Sequence, residues 1–551
     1  MLTRVRYAKW LHRLLIIGTI VGHVFLSYYY YRGYLSLNHF VSVTMVVALS
    51  IPAWILLLKP AYKEVVLPGI NLGKLMYTLP CVVFLCILFE VQLGGHLGFL
   101  SIIALSVAFA ALVLTKYSSL AASIAVASLA ALITVLYGVY APSFGNDTWR
   151  DAIEASQIAE EGGLRGLTVV HTAYPFPVVS LLYVVYSMTT GLNTLWSSCV
   201  VGLLYLLLLS LWIYSMARRF SKYPHIAIFL SLTTPLIVVW SVAFIPQAYS
   251  LLTALPLLFL DLHLTILVVL TVALVLGHGG MALWAIIVLT LLAFTKKILG
   301  DRILISKSIG ARLVIAVVFF TAHAVYTTLS MSLKGAVTGV IDALQVFLSG
   351  EKIVSASAPT QYPVNAVLSV IPVIVLTVLG FVLLAESKDV ASRLLAFASL
   401  AGLGTAYVGA VAYPALDLPR YLGLGSVVVL TILSPQAVER LTKRGHVGTY
   451  YSLSLILLAV TSFGFAGTLM PGNPYTANPY ATWSISGLIS HSEAQELENL
   501  ASLLCCNDYL VDWRTGAYIR YRYLWAHPLF RGFYNPETQS SFTFAGSYGL
   551  L

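Results

Sequence analysis

Charge is what this chain has least of. Only 9% of its 551 residues are Asp, Glu, Lys or Arg, against roughly 25% in an average soluble domain, so an ordinary soluble globular protein is excluded. Cysteine is scarce too. The whole chain has five, with no Cys-x-x-Cys and no Cys/His spacing, and neither a disulfide framework nor a zinc-finger architecture fits. There is no phosphate-binding P-loop and no Gly-x-Gly-x-x-Gly on a strand–helix unit, so nothing supports a nucleotide site of either kind. Internal repeats, glycine–serine linkers and low-complexity tracts are absent as well. What fills the chain is apolar: 59% hydrophobic residues and a mean hydropathy of +0.90 mark an all-α polytopic membrane protein.

A helix needs about 20 mostly apolar residues to cross a bilayer, fewer where it is broken or packed inside a bundle. About fifteen stretches qualify on that measure. They lie near 11–31, 38–58, 77–93, 97–115, 120–141, 196–216, 225–241, 247–260, 262–277, 281–295, 313–333, 363–385, 394–412, 420–434 and 449–469. The basic N-terminus (Arg4, Arg6, Lys9, Arg13) precedes the first stretch without a small-residue cleavage site. It reads as a retained span with a cytoplasmic N-terminus. Alternation then puts Lys59/Lys63, Lys116, Arg218/Arg219/Lys222, the cluster from Lys296 to Arg312, Lys388/Arg393 and Arg440/Lys443/Arg444 in the cytoplasm, as the positive-inside rule requires.

The stretch 176–190 (FPVVSLLYVVYSMTT) is apolar as well, but counting it as a span would move Arg218, Arg219 and Lys222 outside. It therefore reads as an interfacial or re-entrant helix within a long outer loop. Five acids at Asp147, Asp151, Glu154, Glu160 and Glu161, and six more after residue 470, are then external. The net charge of +10 is mostly cytoplasmic loop charge, and a nucleic-acid partner is not expected. Three regions follow: N-terminal helices over 1–117, a transmembrane core over 118–469 carrying the outer loop 142–195, and an extracytoplasmic tail over 470–551. The tail reads as a small α/β domain, with a helix near 491–504 and a strand near Tyr509–Val511. A core of that size is marginal, so the tail should rest on the bundle.

The outer loop concentrates the chemistry. Asp147, Asp151 and Glu154 recur at helical spacing on one face, with Trp149, Ala152, Ile153 and Ala159 on the other. The pattern predicts an amphipathic helix in the outer interface, with Trp149 and Ile153 in the headgroup boundary and the carboxylates facing a cavity or water. Gly162–Gly163 ends it. Acids early in a helix also favour its dipole, which is the ordinary structural role for this pair.

The run from Asp147 through Ala155, Ile158 and Gly162, then Tyr174–Pro175, an apolar half-helix ending in Gly191, and a span closing on Ala217–Arg218–Arg219 resembles the first external loop of GT-C-type polytopic glycosyltransferases. That group includes protein O-mannosyltransferases, lipid A aminoarabinose transferases and oligosaccharyltransferases. The resemblance is loose over 120–435 and specific around 145–219, and the chain has no strict Asp-x-Asp or Trp-Trp-Asp-Tyr-Gly motif. It implies a GT-C-like helical bundle in the cell membrane. The implied activity is sugar transfer from a polyprenyl-phosphate (dolichol-type) donor to a lipid, glycan or protein acceptor on the outer face. Asp147 then matches the catalytic carboxylate or, as in oligosaccharyltransferases, a ligand of a divalent cation such as Mg or Mn. Asp151 supports it or shares that cation.

A departing phosphate needs positive charge and hydrogen-bond donors. His278 in Gly277-His-Gly-Gly280 lies between two short spans, where small neighbours admit a headgroup; a packing histidine is the alternative. Arg420 in Asp417-Leu-Pro-Arg-Tyr421 precedes a late span. The resemblance gives such an Arg-Tyr position the lipid phosphate, and a guanidinium grips it bidentately; a snorkelling anchor is the alternative. His171 and Tyr174 flank the half-helix, and Lys352, beside Glu351 and the SASAPTQY stretch, marks a substrate lid. Glu90 and the Asp261/His263 pair raise the usual question of an intramembrane ion, although each lies near a helix end and reaches water. Two other classes compete with the transferase: a transporter or flippase of lipid-linked saccharides, and a non-catalytic subunit of the same fold.

Overall fold

A computed structural model describes residues 75–94, 117–139, 146–163, 176–232, 244–299, 308–327, 363–387, 389–412 and 417–442, with isolated positions between them and three short strands in the tail. Within those helices, the side chains at 146–147, 149–150 and 407–420 lie outside the described set. So do the expected spans at 38–58 and 449–469, most of the one at 11–31, and the residues His171, Tyr174, Glu351 and Lys352.

The described part of the bundle is helical. In chain order it runs α1 (Leu75–Gly94), α2 (Ser118–Val139), α3 (Asn146–Glu161), α4 (Val178–Thr190), α5 (Thr194–Ala217), α6 (His225–Leu232), α7 (Pro246–Phe259), α8 (Leu264–Gly277), α9 (Gly279–Leu299), α10 (Ile309–Tyr326), α11 (Pro363–Glu386), α12 (Val390–Ala412) and α13 (Asp417–Thr442). Among the described helices, five carry stretches long and apolar enough to cross a bilayer: Ser118–Val135, Thr194–Ala217, Gly279–Lys297, Ile309–Tyr326 and Tyr421–Arg440. Leucines and valines on their outer faces stay exposed, for example Leu204, Leu208, Leu211, Val314 and Val318. In water that would be a liability, and in lipid it is the expected face.

α13 is the hub. It packs against α5, α6, α9, α11 and α12, and 89% of its apolar stretch is buried, against 22% for peripheral α10. Small residues make this approach possible, as they do between membrane helices generally. A Cβ at Gly402 would overlap Ser426, and one at Gly423 would stand 2.7 Å from the Ala406 Cβ. On the opposite side of α13 the exchange is reciprocal. The Tyr421 ring lies where a side chain at Gly280 would go, and the Trp284 ring lies where one at Gly425 would go. Both pairs step by four residues along both chains, so α9 and α13 run parallel and are locked in register one turn apart.

The bundle has a basic end. Arg219 donates to the Phe259 carbonyl at 2.8 Å, and Arg312, 1% exposed, donates to the Leu257 carbonyl at 2.6 Å. These are orphan carbonyls at the C-terminus of α7, where a cation also meets the negative end of the helix dipole. Arg312 also reaches Ser308 Oγ at 3.1 Å and exposed Asp261 at 3.5 Å, and Ser221 on the same end donates to Glu439 at 3.0 Å. Asp261 and His263 thus have structural work, His263 as the N-cap of α8. Glu90 likewise accepts the Leu100 amide.

In the tail, β1 (Leu510–Val511) pairs parallel with β2 (Gly532–Asn535), which pairs antiparallel with β3 (Ser540–Thr543).

Candidate functional site

α3 begins at Asn146, so Asp147 occupies its first turn and Asp151 follows one turn later. The helix stops at Glu161 because Gly162 takes a left-handed φ of 65°, which glycine adopts without steric cost. Its setting differs from the expected one. Residues 151–155 are all buried, Asp151 and Glu154 at 0% exposure and Ile153 at 5%, and among the described side chains of the helix the exposed ones are those of its last turn, Ala159–Glu161. Ile153 therefore does not enter the headgroup boundary; α3 is wedged against α4 and α5. From Asp151 to Ile158 both faces meet protein, and the neighbouring helices supply hydroxyls to the polar one.

Those hydroxyls are specific. Ser180 on α4 donates to Glu154 Oε2 at 3.0 Å, and Ser156 pairs with Thr194 on α5 at 2.8 Å. Burying a carboxylate in a membrane bundle is costly unless its oxygens are hydrogen-bonded, and Ser180 meets part of that need. α4 spans 13 residues, about 20 Å at 1.5 Å per residue, too short for the roughly 30 Å hydrocarbon core. It buries Val179, Ser180, Tyr183 and Val184, exposes Val185 and Met188, and ends on left-handed Gly191. Tyr183 anchors it, donating to the Phe244 carbonyl at 2.5 Å. The short helix that the charge pattern required over 176–190 is therefore present.

Just ahead of α4 stands Phe176, 8% exposed. Its ring stacks on the His278 imidazole, with centroids 5.5 Å apart and planes at 25°, and approaches His323 at 5.8 Å. His278 is the single residue between α8 and α9. Its other neighbour is Tyr421, with ring centroids 4.6 Å apart. The small residues around His278 do make room, but for protein. A Cβ at Gly280 would strike Tyr421, and one at Gly277 would strike Ser250 and stand 2.8 Å from Tyr249.

The three parts of the sequence singled out for chemistry thus form one contiguous patch. Glu154 on α3 touches Ser180 on α4, Phe176 at the head of α4 touches His278, and His278 touches Tyr421, the residue after Arg420. The patch lies at the end of α5, α7, α9 and α13 opposite the basic end just described. Asp147 and Arg420 are placed by their helices; their side chains, with His171, Tyr174 and Lys352, lie outside the described residues.

Sequence reasoning missed His323, in the last turn of α10, and Phe176. The signal for His323 was present, since a histidine in the final turn of an otherwise apolar span is an intramembrane ionisable group. Phe176 carried none, being one aromatic in an apolar run. Gln157, one turn past Glu154, and Gln247, in the first turn of α7, are also buried, each with a side-chain oxygen that has no hydrogen-bond partner among the described residues. Also among the described residues, no three His, Cys, Asp or Glu side chains cluster as a cation site. Asp151 and Glu154 do not complete one by themselves.

No protein-family model matches the chain, and no curated protein matches it in sequence.

Proposed function

We propose that this protein is a membrane glycosyltransferase that moves a sugar from a polyprenyl-phosphate-linked donor to an acceptor hydroxyl on the outer face of the membrane. One observation carries the reading: α3 with its buried carboxylates, the Phe176 turn, His278 and the start of α13 meet at the end of the bundle opposite Arg219, Arg312 and Glu439. The positive-inside rule makes the basic end cytoplasmic and puts the patch at the outer surface, where a lipid-linked phosphate resides. About fifteen spans, a cytoplasmic N-terminus and an extracytoplasmic α/β tail complete this topology.

In this reaction the acceptor oxygen attacks the anomeric carbon as the bond from that carbon to the phosphate oxygen breaks, inverting configuration. The acceptor proton passes to a carboxylate and the electron pair leaves with the phosphate. Phosphate is already a good leaving group, so one carboxylate base and donors for the departing oxygen suffice, unlike the two carboxyl groups of a glycosidase. Asp147 is the base in this scheme. Asp151, one turn along, holds the helix face or shares a divalent cation, for which added EDTA is the test. The scheme assigns the phosphate to Arg420 and the donor path to His171, Tyr174 and Lys352.

The test is sugar transfer by purified protein supplied with a polyprenyl-phosphate sugar. Asp147→Asn is expected to lower the rate at least about 100-fold, the usual scale of general-base catalysis, while melting like the parent. Undiminished transfer in that variant removes Asp147 from the base role. A second reading, a transporter of lipid-linked saccharides, draws on the fully buried Asp151 and Glu154, since buried membrane carboxylates also serve proton relays. Substrate crossing liposomes with no glycosidic bond formed would favour it.

A further inference from the structure

The N-terminus of α7 is buried without a side-chain cap. The first N–H groups of a helix have no carbonyl of their own helix to meet, and where water is shut out they need partners from elsewhere. In α7 the first bonds run from Ala248 and Tyr249 to the Ile245 carbonyl, at 2.9 and 3.2 Å. The Gln247 N–H therefore lies ahead of the ladder. Pro246 has no N–H, and the N-cap residue Ile245 contributes no side-chain bond. Gln247 itself is 8% exposed, and its Oε1 has no hydrogen-bond partner among the described residues. An amide oxygen buried with nothing to accept from is costly. The turn belongs to the patch already described. Just before Gln247, the Phe244 carbonyl accepts from Tyr183 of α4. Just after it, Tyr249 and Ser250 pack where a side chain at Gly277 would stand, beside His278. Gln157 on α3 also has a buried Oε1 with no partner among the described residues, but it lies inside its helix, where its own N–H is in the ladder.

A donor and an acceptor in one turn select the group that fits both. A cation meets the positive end of the helix dipole. A phosphate oxygen without a proton answers the N–H but gives nothing to Oε1. An O–H group does both: its oxygen accepts the Gln247 N–H and its hydrogen goes to Oε1. We infer that the N-terminus of α7 is a hydroxyl-binding site, in which one O–H oxygen bridges the N–H and Oε1 of Gln247. Two sources present that group, an ordered water or a hydroxyl of a sugar held in the patch. The sugar rests on the transferase reading above; the O–H site does not.

Full-length protein in nanodiscs provides the test. Cryo-EM maps that resolve ordered water are expected to show one oxygen within hydrogen-bond distance of both Gln247 atoms. A protein side chain filling that position, or no density there, overturns the inference. Melting gives an independent answer by its sign, because methionine matches the length of glutamine and has no amide. If the amide is buried dry and unpaired, Gln247→Met melts at or above the parent, since an apolar side chain of that shape is then at least as good. An amide held by a hydroxyl makes the variant melt lower, which is the expected result; equal or higher melting overturns the inference. Binding of polyprenyl phosphate and of polyprenyl-phosphate sugar separates the sources. If the hydroxyl is the sugar's, Gln247→Met binds the sugar-bearing probe about 3- to 10-fold more weakly, as loss of one neutral hydrogen bond implies, and the bare phosphate as the parent does. Unchanged binding of both probes, with the oxygen present in the map, assigns the site to water and leaves the inference standing. An oxygen in the map of a parent that transfers no sugar also leaves it standing, and the transferase reading fails.

Discussion

The aromatic–glycine exchange between α9 and α13 makes a quantitative prediction. In Gly280→Ala the new methyl would overlap Cδ2 and Cε2 of Tyr421 and stand 2.8 Å from Cγ, whereas carbon atoms rest about 3.5–4.0 Å apart. The tyrosine ring must retreat by roughly 1 Å, and behind it sits His278, 4.6 Å away between ring centroids. Overpacking of this kind costs about 1–3 kcal/mol. Tyr421→Ala removes the obstacle at a cost of its own, about 3–5 kcal/mol for a buried aromatic. In the double variant the methyl enters space that the ring has vacated, so the two costs should not add. The total is expected to fall short of their sum by about 1–3 kcal/mol, within the range of direct contacts. Detergent-driven unfolding in mixed micelles measures all four corners of the cycle. Strict additivity would mean that the ring and the glycine do not meet, and the register assigned to α9 and α13 would be wrong.

The basic end and the α3 contact give two more predictions. Arg312→Met keeps the volume but leaves the Leu257 carbonyl without its 2.6 Å donor; it should destabilise by about 1–2 kcal/mol, because relief of a buried charge offsets part of the loss. Asp261→Asn, at a side chain 78% exposed, should change unfolding far less, and equal effects would refute the assignment of the carbonyl as the main partner. Ser180→Ala removes the 3.0 Å donor to Glu154 and should cost about 0.5–2 kcal/mol. The cost should shrink in a Glu154→Gln background, and if it is the same in both backgrounds the two side chains are not coupled.

Long apolar runs made the helices legible, because a bilayer demands them wherever the chain crosses it. Charge placement read 176–190 as a short helix within a loop, and a short helix, α4 of 13 residues, does form there. The contact partners were not legible, for a physical reason. Asp147, Asp151 and Glu154 spaced by helical turns say that one face is polar; they say nothing of whether that face meets water, lipid headgroups or serines from another helix. Ser180 and Thr194 lie 26 and 38 residues from their partners, and a lone hydroxyl in an apolar run looks like filler until the fold brings it to a carboxylate.

The Gly277-His-Gly-Gly280 motif was only half legible in the same way. Glycines beside a histidine signal close approach, and the approach is real: Tyr421 comes to Gly280, and Tyr249 and Ser250 come to Gly277. A glycine reports that space is needed, never who fills it. Tyr421 fills the space at Gly280 and packs on the His278 ring, so the start of α13 is held against the α8–α9 turn by packed rings.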